Sequence, residues 1–198
     1  HIMYEIAKYE CVYVTNKVFA SITQVTNPQG IMAIIEKGDT NVQIDYTQDI
    51  IVALDDVQDP GNLGTILRTV DSIGLNQIIV SKGTADAFNS KVVRSTMGAI
   101  FRVKIIEVEN LPQSIKEMRK HHFKLMVTSL QTENSIYDIK FNKKIIVIGN
   151  EANGVSKEIQ EMADEKAKIP MLGKTESLNA SVAAGVVMYE YVRQKLLK

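Results

Sequence analysis

The sequence predicts an α/β fold in which a parallel sheet is covered by helices on both faces. Two observations support this prediction. From residue 50 onward, short β-branched runs alternate with stretches of helical periodicity, and this alternation is typical of strand–helix–strand units. The chain is also 198 residues long and 45% hydrophobic, which suits one large domain, or one domain and a small appendage.

The N-terminal part is predicted to be the appendage. It shows two candidate strands, at 11–15 and 31–36, on either side of a short helix at 17–24. So few elements cannot bury a core alone, and we expect them to pack on a larger unit. Residues 39–49 are polar and predict a linker to the rest of the chain.

The larger part of the chain is predicted to start at residue 50. Its strands are expected at 50–54, 77–80, 103–108, 124–129, 144–148 and 167–169. Its helices are expected at 63–73, 90–96, 111–121, 157–165 and 179 to about 197. Because open parallel sheets bind ligands at the carboxyl ends of their strands, the loops at those ends are the candidate site.

The composition excludes several classes of protein. One cysteine, Cys11, rules out an internal disulfide framework and a CxxC metal or redox site. Three histidines are too few for a His-based zinc site, so we expect no metal. No apolar run reaches the roughly 18–20 residues that a membrane helix needs. A chain with one cysteine is expected in the cytoplasm.

The charge is balanced overall but not along the chain. The 23 basic and 23 acidic residues give zero net charge, which by itself argues weakly against a nucleic-acid partner. Residues 82–124, however, hold nine basic and four acidic residues, a net of +5. The candidate phosphate contacts in this stretch are Lys82, Lys91, Arg94, Arg102 and Lys104. For each of them the competing interpretation is a solvated charged surface.

The first candidate loop follows the strand at 50–54 and reads Asp59-Pro60-Gly61-Asn62. Asn62 is predicted to cap the next helix, since Asn is a favoured residue at that position. The apolar face of this helix is formed by Leu63, Ile66, Leu67, Val70 and Ile73. Arg68 falls about 100° away from that face and points away from its own core. It is either a solvated residue or a group aimed at an anion or a partner subunit.

The second loop follows the apolar strand at 144–148. Gly149 and Gly154 have the spacing of a phosphate-binding loop, but Val155 stands where the phosphate-binding lysine is required, which excludes an NTPase. The chain also lacks any G-x-G, so the dinucleotide fingerprint is absent. The loop is therefore either a plain strand-to-helix turn or a site that uses Glu151.

The third loop, residues 169–179, separates the last strand from the last helix. The helix is predicted to begin near Asn179. Its first half is small or apolar on all sides, so it should be buried on several of them. Its small residues, which allow close approach of another backbone, are Ala180, Ala183, Ala184 and Gly185. Core packing and a subunit interface are equally good interpretations of this pattern.

Together the three loops resemble the SpoU/TrmH family of RNA ribose 2′-O-methyltransferases in the SPOUT superfamily. Residues 59–69 resemble that family's motif 1, residues 147–155 its motif 2, and residues 169–171 with 177–183 its motif 3. The resemblance extends over about residues 50–195. It implies a SPOUT-type sheet with a deep C-terminal trefoil knot, and a homodimer formed through the last helix.

The N-terminal part is similar to the end of a ribosomal-protein-L30e-like domain, through residues 25–33. The implied organisation is a remnant of an L30e-like RNA-binding domain at 1–38, a linker at 39–49 and a SpoU catalytic domain at 50–198. Domains of the L30e type accompany enzymes acting on rRNA more often than enzymes acting on tRNA in this family, so the resemblance favours an rRNA substrate.

The resemblance implies methyl transfer from S-adenosylmethionine to a ribose 2′-hydroxyl in structured RNA. The implied cofactor-binding residues are Leu130, Gly149, Asn150, Ile169, Met171 and Leu178. The implied catalytic residues are Asn62, Arg68, Glu151, Ser177 and Asn179. Arg68 acts either as a base, after losing its proton, or as a fixed positive charge. The alternatives are an RNA-binding protein that has kept the fold without the activity, and an unrelated nucleotide-binding α/β protein.

Overall fold

The computed structural model describes Ile6, residues 8–38 and residues 42–197. These residues fall into two compact units, one within residues 1–38 and one within residues 39–198. The first unit contains helix α1 (Asn16–Ile22), close to the helix predicted at 17–24, and the hydroxyl of Thr15 caps its start. The assignment of this unit to an L30e-like domain stays a prediction.

The two strands predicted in the first unit are wrong. The described residues of 11–15 and 31–36 have no strand structure. An extended segment becomes a strand only when a neighbouring strand takes up its backbone hydrogen bonds, and the described part of this unit offers none. The β-branched residues of these segments favour an extended backbone, but the described part of the unit has no neighbouring strand with which they could form a sheet.

The second unit is built on one six-stranded sheet in the order β3-β2-β1-β5-β4-β6, with every neighbouring pair parallel. Its strands are β1 (Ile50–Asp55), β2 (Gln77–Ser81), β3 (Lys104–Val108), β4 (Lys124–Thr128), β5 (Lys144–Gly149) and β6 (Glu165–Ala167). The helices are α2 (Pro60–Ser72), α3 (Ser90–Ser95), α4 (Leu111–Lys120), α5 (Lys157–Met162) and α6 (Ala180–Leu196). The predicted parallel α/β sheet is confirmed.

The core lies on both faces of the sheet. The central strands β1 and β5 are buried at every position, and alternate residues of β1 belong to different hydrophobic clusters. Ile50, Val52 and Leu54 pack with α2 and α6 on one face. Ile51 and Ala53 pack with α4 and α5 on the other. A strand that is apolar on both sides is typical of a sheet covered by helices on both faces.

The last strand begins two residues earlier than the sequence predicts, and α5 ends at Met162 rather than at residue 165. The reason is Asp164. Its backbone N–H donates to the carbonyl of Leu125 at 3.0 Å, and its carboxylate accepts from the N–H of Leu125 at 2.7 Å. These two bonds start the pairing with β4, so the chain leaves the helix for the sheet at that point.

The segment predicted as a linker is part of the sheet unit in its described residues, 42–49. Val42, Ile44 and Tyr46 pack against one of the two hydrophobic clusters. The buried amide of Gln77 accepts from the N–H of Asp45 at 2.8 Å and donates to its carbonyl at 2.6 Å. Its few apolar residues thus attach a mostly polar segment to the domain.

No helix within residues 42–197, or elsewhere in the described part of the chain, is long and apolar enough to cross a membrane. The strand order places β5 between β1 and β4, so the loops that follow these strands meet at one edge of the sheet. The trefoil knot stays a prediction.

Candidate active site

Helix α2 starts at Pro60 and is capped by Asp59, whose carboxylate accepts from the backbone N–H of Asn62 at 2.8 Å. The prediction that Asn62 is the cap is therefore wrong. Pro60 suits the first helical position, because its missing N–H has no partner there in any case, and Asp59 precedes it as the preferred capping residue. The side chain of Asn62 is buried and is not used in capping, so its amide can bond to other loops of the site.

Three side chains, one from each candidate loop, form a hydrogen-bonded chain. Asn62 Nδ2 donates to Glu151 Oε1 at 2.8 Å, and Asn62 Oδ1 accepts from Asn179 Nδ2 at 2.9 Å. Asn179 Oδ1 in turn accepts from the backbone N–H groups of Ser181 and Val182 and caps α6. Since the amide of Asn62 makes both contacts, it ties the loops after β1, β5 and β6 together. We call these three residues the Glu–Asn–Asn chain.

Glu151 is held as an ionised acceptor. Besides Asn62, its carboxylate accepts from the backbone N–H groups of Gln58 and Asp59, each at 3.1 Å. Burial raises the pKa of the Glu151 carboxyl, but the hydrogen bonds from Asn62 and from backbone N–H groups outweigh it and leave the pKa below its ordinary value. A carboxylate with these donors orients its neighbours and is a weak proton acceptor at neutral pH.

The loop after β5 folds back on itself. Asn150 and Gly154 exchange two backbone hydrogen bonds, of 3.0 and 2.9 Å, and the Asn150 side chain donates to the carbonyl of Asp56 at 2.8 Å. A Cβ on Gly149 would overlap the backbone of Gly154 and Val155. Glycine is therefore required at position 149 by the loop's own packing.

A cavity of about 370 Å³ opens at the carboxyl ends of β4, β5 and β6. It is lined by all six residues predicted to bind the cofactor, namely Leu130, Gly149, Asn150, Ile169, Met171 and Leu178. Glu151 and Ser177 also line it. Sequence reasoning missed Thr128, Ser129, Gln131 and Lys168, which the structure adds to the lining. Ser129 directly follows β4 and Gln131 lies two residues further on, and this position at a strand end is the signal that could have identified them.

The lining suits an adenosine-type cofactor. Leu130 is 62% exposed and Leu178 36% exposed, although both border the cavity. Leucines at the mouth of a pocket, beside polar loop backbone, are the groups that a flat heteroaromatic ring would cover. Among the described residues, no group of three or more His, Cys, Asp and Glu could hold a metal ion.

Arg68 lies on the exposed side of α2, off the buried face, as the sequence predicts. It makes no hydrogen bond or ion pair with any described residue, and it does not line the cavity. On the same side of the helix, a Cβ on Gly64 would overlap Ser95, and Asp71 holds Arg102. Arg68 therefore projects between two points at which α2 contacts the segment that follows β2. Ser177 is likewise exposed.

The predicted RNA contacts differ in how freely they are available. Lys82 pairs with Glu109 at 2.8 Å, and Arg102 binds the Asp71 carboxylate with two nitrogens, at 3.0 and 2.8 Å. Hydrogen bonding with Arg102 lowers the pKa of Asp71. Arg94 is exposed and has no ion pair with a described residue. The RNA role of these residues stays a prediction.

A six-stranded parallel sheet covered by helices, with this cavity at its carboxyl edge, is the fold of the SPOUT class of RNA methyltransferases. The chain belongs to the SpoU rRNA Methylase family, whose model matches residues 49–189.

Two curated relatives and one solved structure illustrate the similarity. The chain is 34% identical over 181 residues to 23S rRNA (guanosine(2553)-2′-O)-methyltransferase RlmP of Bacillus subtilis, covering 91% of this chain and 71% of that protein. It is 38% identical over 151 residues to 23S rRNA (guanosine-2′-O-)-methyltransferase RlmB of Xylella fastidiosa, covering 76% of this chain and 61% of that protein.

The solved structure is that of AdoMet-bound rRNA methyltransferase from Sinorhizobium meliloti. It superposes with a TM-score of 0.78 at 33% identity, over 90% of this chain and 70% of the other. The chain thus spans 61% to 71% of the length of these relatives.

Proposed function

We propose that this chain transfers a methyl group from S-adenosylmethionine to a ribose 2′-hydroxyl of RNA, with rRNA as the favoured substrate. The observation that carries the proposal is the position of the 370 Å³ cavity directly beside Glu151 of the Glu–Asn–Asn chain. Family membership, the names of the relatives as 23S rRNA 2′-O-methyltransferases and the AdoMet-bound structure support it. Because rRNA is made and modified in the bacterial cytoplasm, we place the reaction there.

The residues that line the cavity would hold the cofactor through apolar contacts and through hydrogen bonds from the loops. Leu130, Ile169 and Leu178 offer apolar surface to the adenine ring, and the backbone of the loop after β5 offers hydrogen bonds. When bound, the cofactor supplies a methyl group on a positively charged sulfur. The S–CH₃ bond then breaks as the bond between the methyl carbon and the ribose 2′-oxygen forms, and the hydroxyl proton leaves to solvent.

Arg68 would act on the ribose and its phosphate. A guanidinium is protonated at any working pH, so we assign it a charge role: it binds a substrate phosphate and stabilises the oxygen as the proton leaves. Arg68 has no hydrogen bond or ion pair among the described residues, which supports this role, since a guanidinium committed to a carboxylate would be unavailable. The Glu–Asn–Asn chain positions the start of α2, and with it Arg68, relative to the cavity.

We also propose that the protein is a homodimer that associates through α6. Val182 and Tyr189 of this helix are each 51% exposed. The hydroxyl of Tyr189 lies 3.3 Å from the hydroxyl of Ser72, the last residue of α2. A partner subunit that packs on α6 would therefore also lie close to α2, the helix that carries Arg68. A second protomer there would place its own surface near the site.

Methyl transfer to rRNA tests the proposed function. Purified protein is incubated with tritium-labelled S-adenosylmethionine and rRNA from cells that lack the gene, and label in the RNA is counted. We expect transfer by the wild type and loss of transfer in Arg68→Ala, with Lys116→Ala as a surface control. Binding of S-adenosylmethionine without any transfer would favour the RNA-binding alternative. Calorimetry that shows preference for ATP or NAD would contradict the proposal.

A further inference from the structure

The loop after β5 forms one side of the cofactor cavity. All seven of its residues from Gly149 to Val155 line that cavity. The loop leaves the sheet at Gly149 and ends at Ser156, which immediately precedes α5. Because a Cβ on Gly149 would overlap the backbone of Gly154 and Val155, the end of the loop lies beside its start. The position of Ser156 therefore helps to set the shape of the cavity.

Asp55 contacts both ends of this loop. It is the last residue of β1, and it lies opposite Gly149 in the register of β1 with β5. Its Oδ2 accepts from the backbone N–H of Ser156 at 2.7 Å, across 101 residues of sequence. One residue of a central strand thus lies beside the start of the loop through its backbone and holds the end of the loop through its carboxylate.

The Asp55 carboxylate is buried without a countercharge. Asp55 is 8% exposed, it does not line the cavity, and no cation of the described residues forms an ion pair with it. Burial of an unpaired carboxylate is costly, and a hydrogen bond from one backbone N–H offsets only part of that cost. The contact with Ser156 is therefore better explained by the loop that it fixes than by the stability of the sheet.

The turn that follows Asp55 is itself held in one shape. Asp56 has a left-handed backbone, with a φ of 57°, which is uncommon for a residue other than glycine. Ser81 at the end of β2 holds it there, since the N–H of Asp56 donates to Ser81 Oγ at 2.8 Å and Ser81 Oγ donates to Asp56 Oδ1 at 2.5 Å. A Cβ on Gly83 would overlap the Asp56 carboxylate. The loop after β5 is therefore fastened to a rigid support.

We propose that Asp55 is a positioning residue for the binding of S-adenosylmethionine. Its carboxylate fixes Ser156 and so holds the loop after β5 in the shape of the cavity before the cofactor binds, which lowers the ordering that binding requires. Glu151 has separate anchors at the start of α2 and in the turn before it, so Asp55 acts on cofactor affinity and not on the chemical step. The inference rests on the proposed function only in taking S-adenosylmethionine as the cofactor.

Calorimetric titration with S-adenosylmethionine tests the affinity. Asp55→Ala should weaken binding by about tenfold or more, the range expected for loss of a hydrogen bond to a charged group. Asp55→Asn should recover most of the affinity, because its amide oxygen can accept from the same N–H. The control is Asn110→Ala, which removes the side-chain acceptor of the Gln113 N–H at the start of α4, away from the cavity. Equal losses in Asp55→Ala and in the control, or no recovery in Asp55→Asn, would overturn the proposal.

Two further measurements separate positioning from a general loss of stability. Without cofactor, amide hydrogen exchange in residues 150–156 should be faster in Asp55→Ala than in the wild type and near the wild-type rate in Asp55→Asn. In steady-state assays, the KM for S-adenosylmethionine should rise in Asp55→Ala while kcat at saturating cofactor stays near the wild-type value. A smaller folded fraction would instead lower kcat at an unchanged KM, and that result contradicts the assignment. If thermal melts show that Asp55→Ala does not fold, Asp55→Ser, with a shorter side chain, takes its place.

The two proposals fail in different ways. If the wild type binds S-adenosylmethionine and methylates RNA, and Asp55→Ala binds the cofactor as tightly as the wild type does, only the role of Asp55 is wrong. If the wild type does not bind S-adenosylmethionine, both proposals are wrong. If the wild type binds the cofactor without transfer to RNA, and Asp55→Ala binds it at least about tenfold more weakly, the role of Asp55 stands and the proposed reaction does not.

Discussion

Asn62 donates a 2.8 Å hydrogen bond to Glu151 across 89 residues of sequence, and this contact joins the loop after β1 to the loop after β5. The same amide accepts from Asn179, so one side chain holds three loops in register. The rate of methyl transfer should therefore depend on Asn62 even though its side chain does not line the cofactor cavity.

Asn62→Ala should lower both stability and activity. The change removes a donor from Glu151 and leaves the Asn179 amide without its acceptor, and a lost bond with an unsatisfied buried partner costs about 1–3 kcal/mol. Urea unfolding measures the loss, and the exposed residue Asn134 provides the control, Asn134→Ala. A variant as stable and as active as Asn134→Ala would mean that the chain of hydrogen bonds contributes nothing.

Glu151 makes stability depend on pH. Its pKa is lower in the folded protein than the ordinary 4.5, so the carboxylate favours the folded state above that value, and the contribution disappears as pH falls through the folded pKa. Glu151→Gln should therefore be less stable than the wild type at pH 7. The difference in unfolding free energy should shrink as the pH drops below 4.5. A difference independent of pH would argue against an ionised Glu151.

Gly149→Ala should abolish cofactor binding. The new methyl group overlaps the backbone of Gly154 and Val155, so the loop that lines the cavity cannot keep its shape. Gly173→Ala is the matched control, because a Cβ there meets no atom within 4 Å. Calorimetric titration with S-adenosylmethionine should give binding in the control and none in Gly149→Ala. Equal affinities in the two variants would contradict the described loop.

Arg68 variants separate its two possible roles. Loss of one preorganised charge contact in a transition state typically costs about 10²–10³ in rate, and we expect a decrease of that order for Arg68→Ala. Arg68→Lys should recover part of the rate, because a charge role needs a cation more than a fixed guanidinium. Affinity for S-adenosylmethionine should not change in either variant, since Arg68 lies outside the cavity. A Lys variant as inactive as the Ala variant would favour the guanidinium-specific role.

The sheet could be predicted from sequence because its central strands are apolar on both sides. β1 and β5 are buried at every residue. A short, continuously apolar run of this kind is typical of a central strand in a parallel sheet that is covered on both faces. The edge strand β6 was misplaced by two residues because Glu165 and Lys166 look like loop residues. Its start is set by the pairing of Asp164 with Leu125, a contact between residues 39 positions apart that no local pattern shows.

The six residues predicted to bind the cofactor do line the cavity, but the hydrogen bonds that join the three loops could not be predicted from the sequence. Each loop lies at a strand end, and the motif resemblance marked the residues within it. The choice of Asp59 over Asn62 as the cap depends on one hydrogen bond, and both residue types are good caps. The bond from Asn62 to Glu151 follows from that choice.

The central claim is that the methyl group goes to the ribose 2′-oxygen of RNA. Its most direct test is nuclease digestion of rRNA treated with the protein and methyl-labelled S-adenosylmethionine, followed by mass spectrometry of the nucleosides. We predict a labelled 2′-O-methylnucleoside in the wild-type reaction and almost none with Arg68→Ala. Label found on a base, or no label in RNA from a protein that binds S-adenosylmethionine, would contradict the claim.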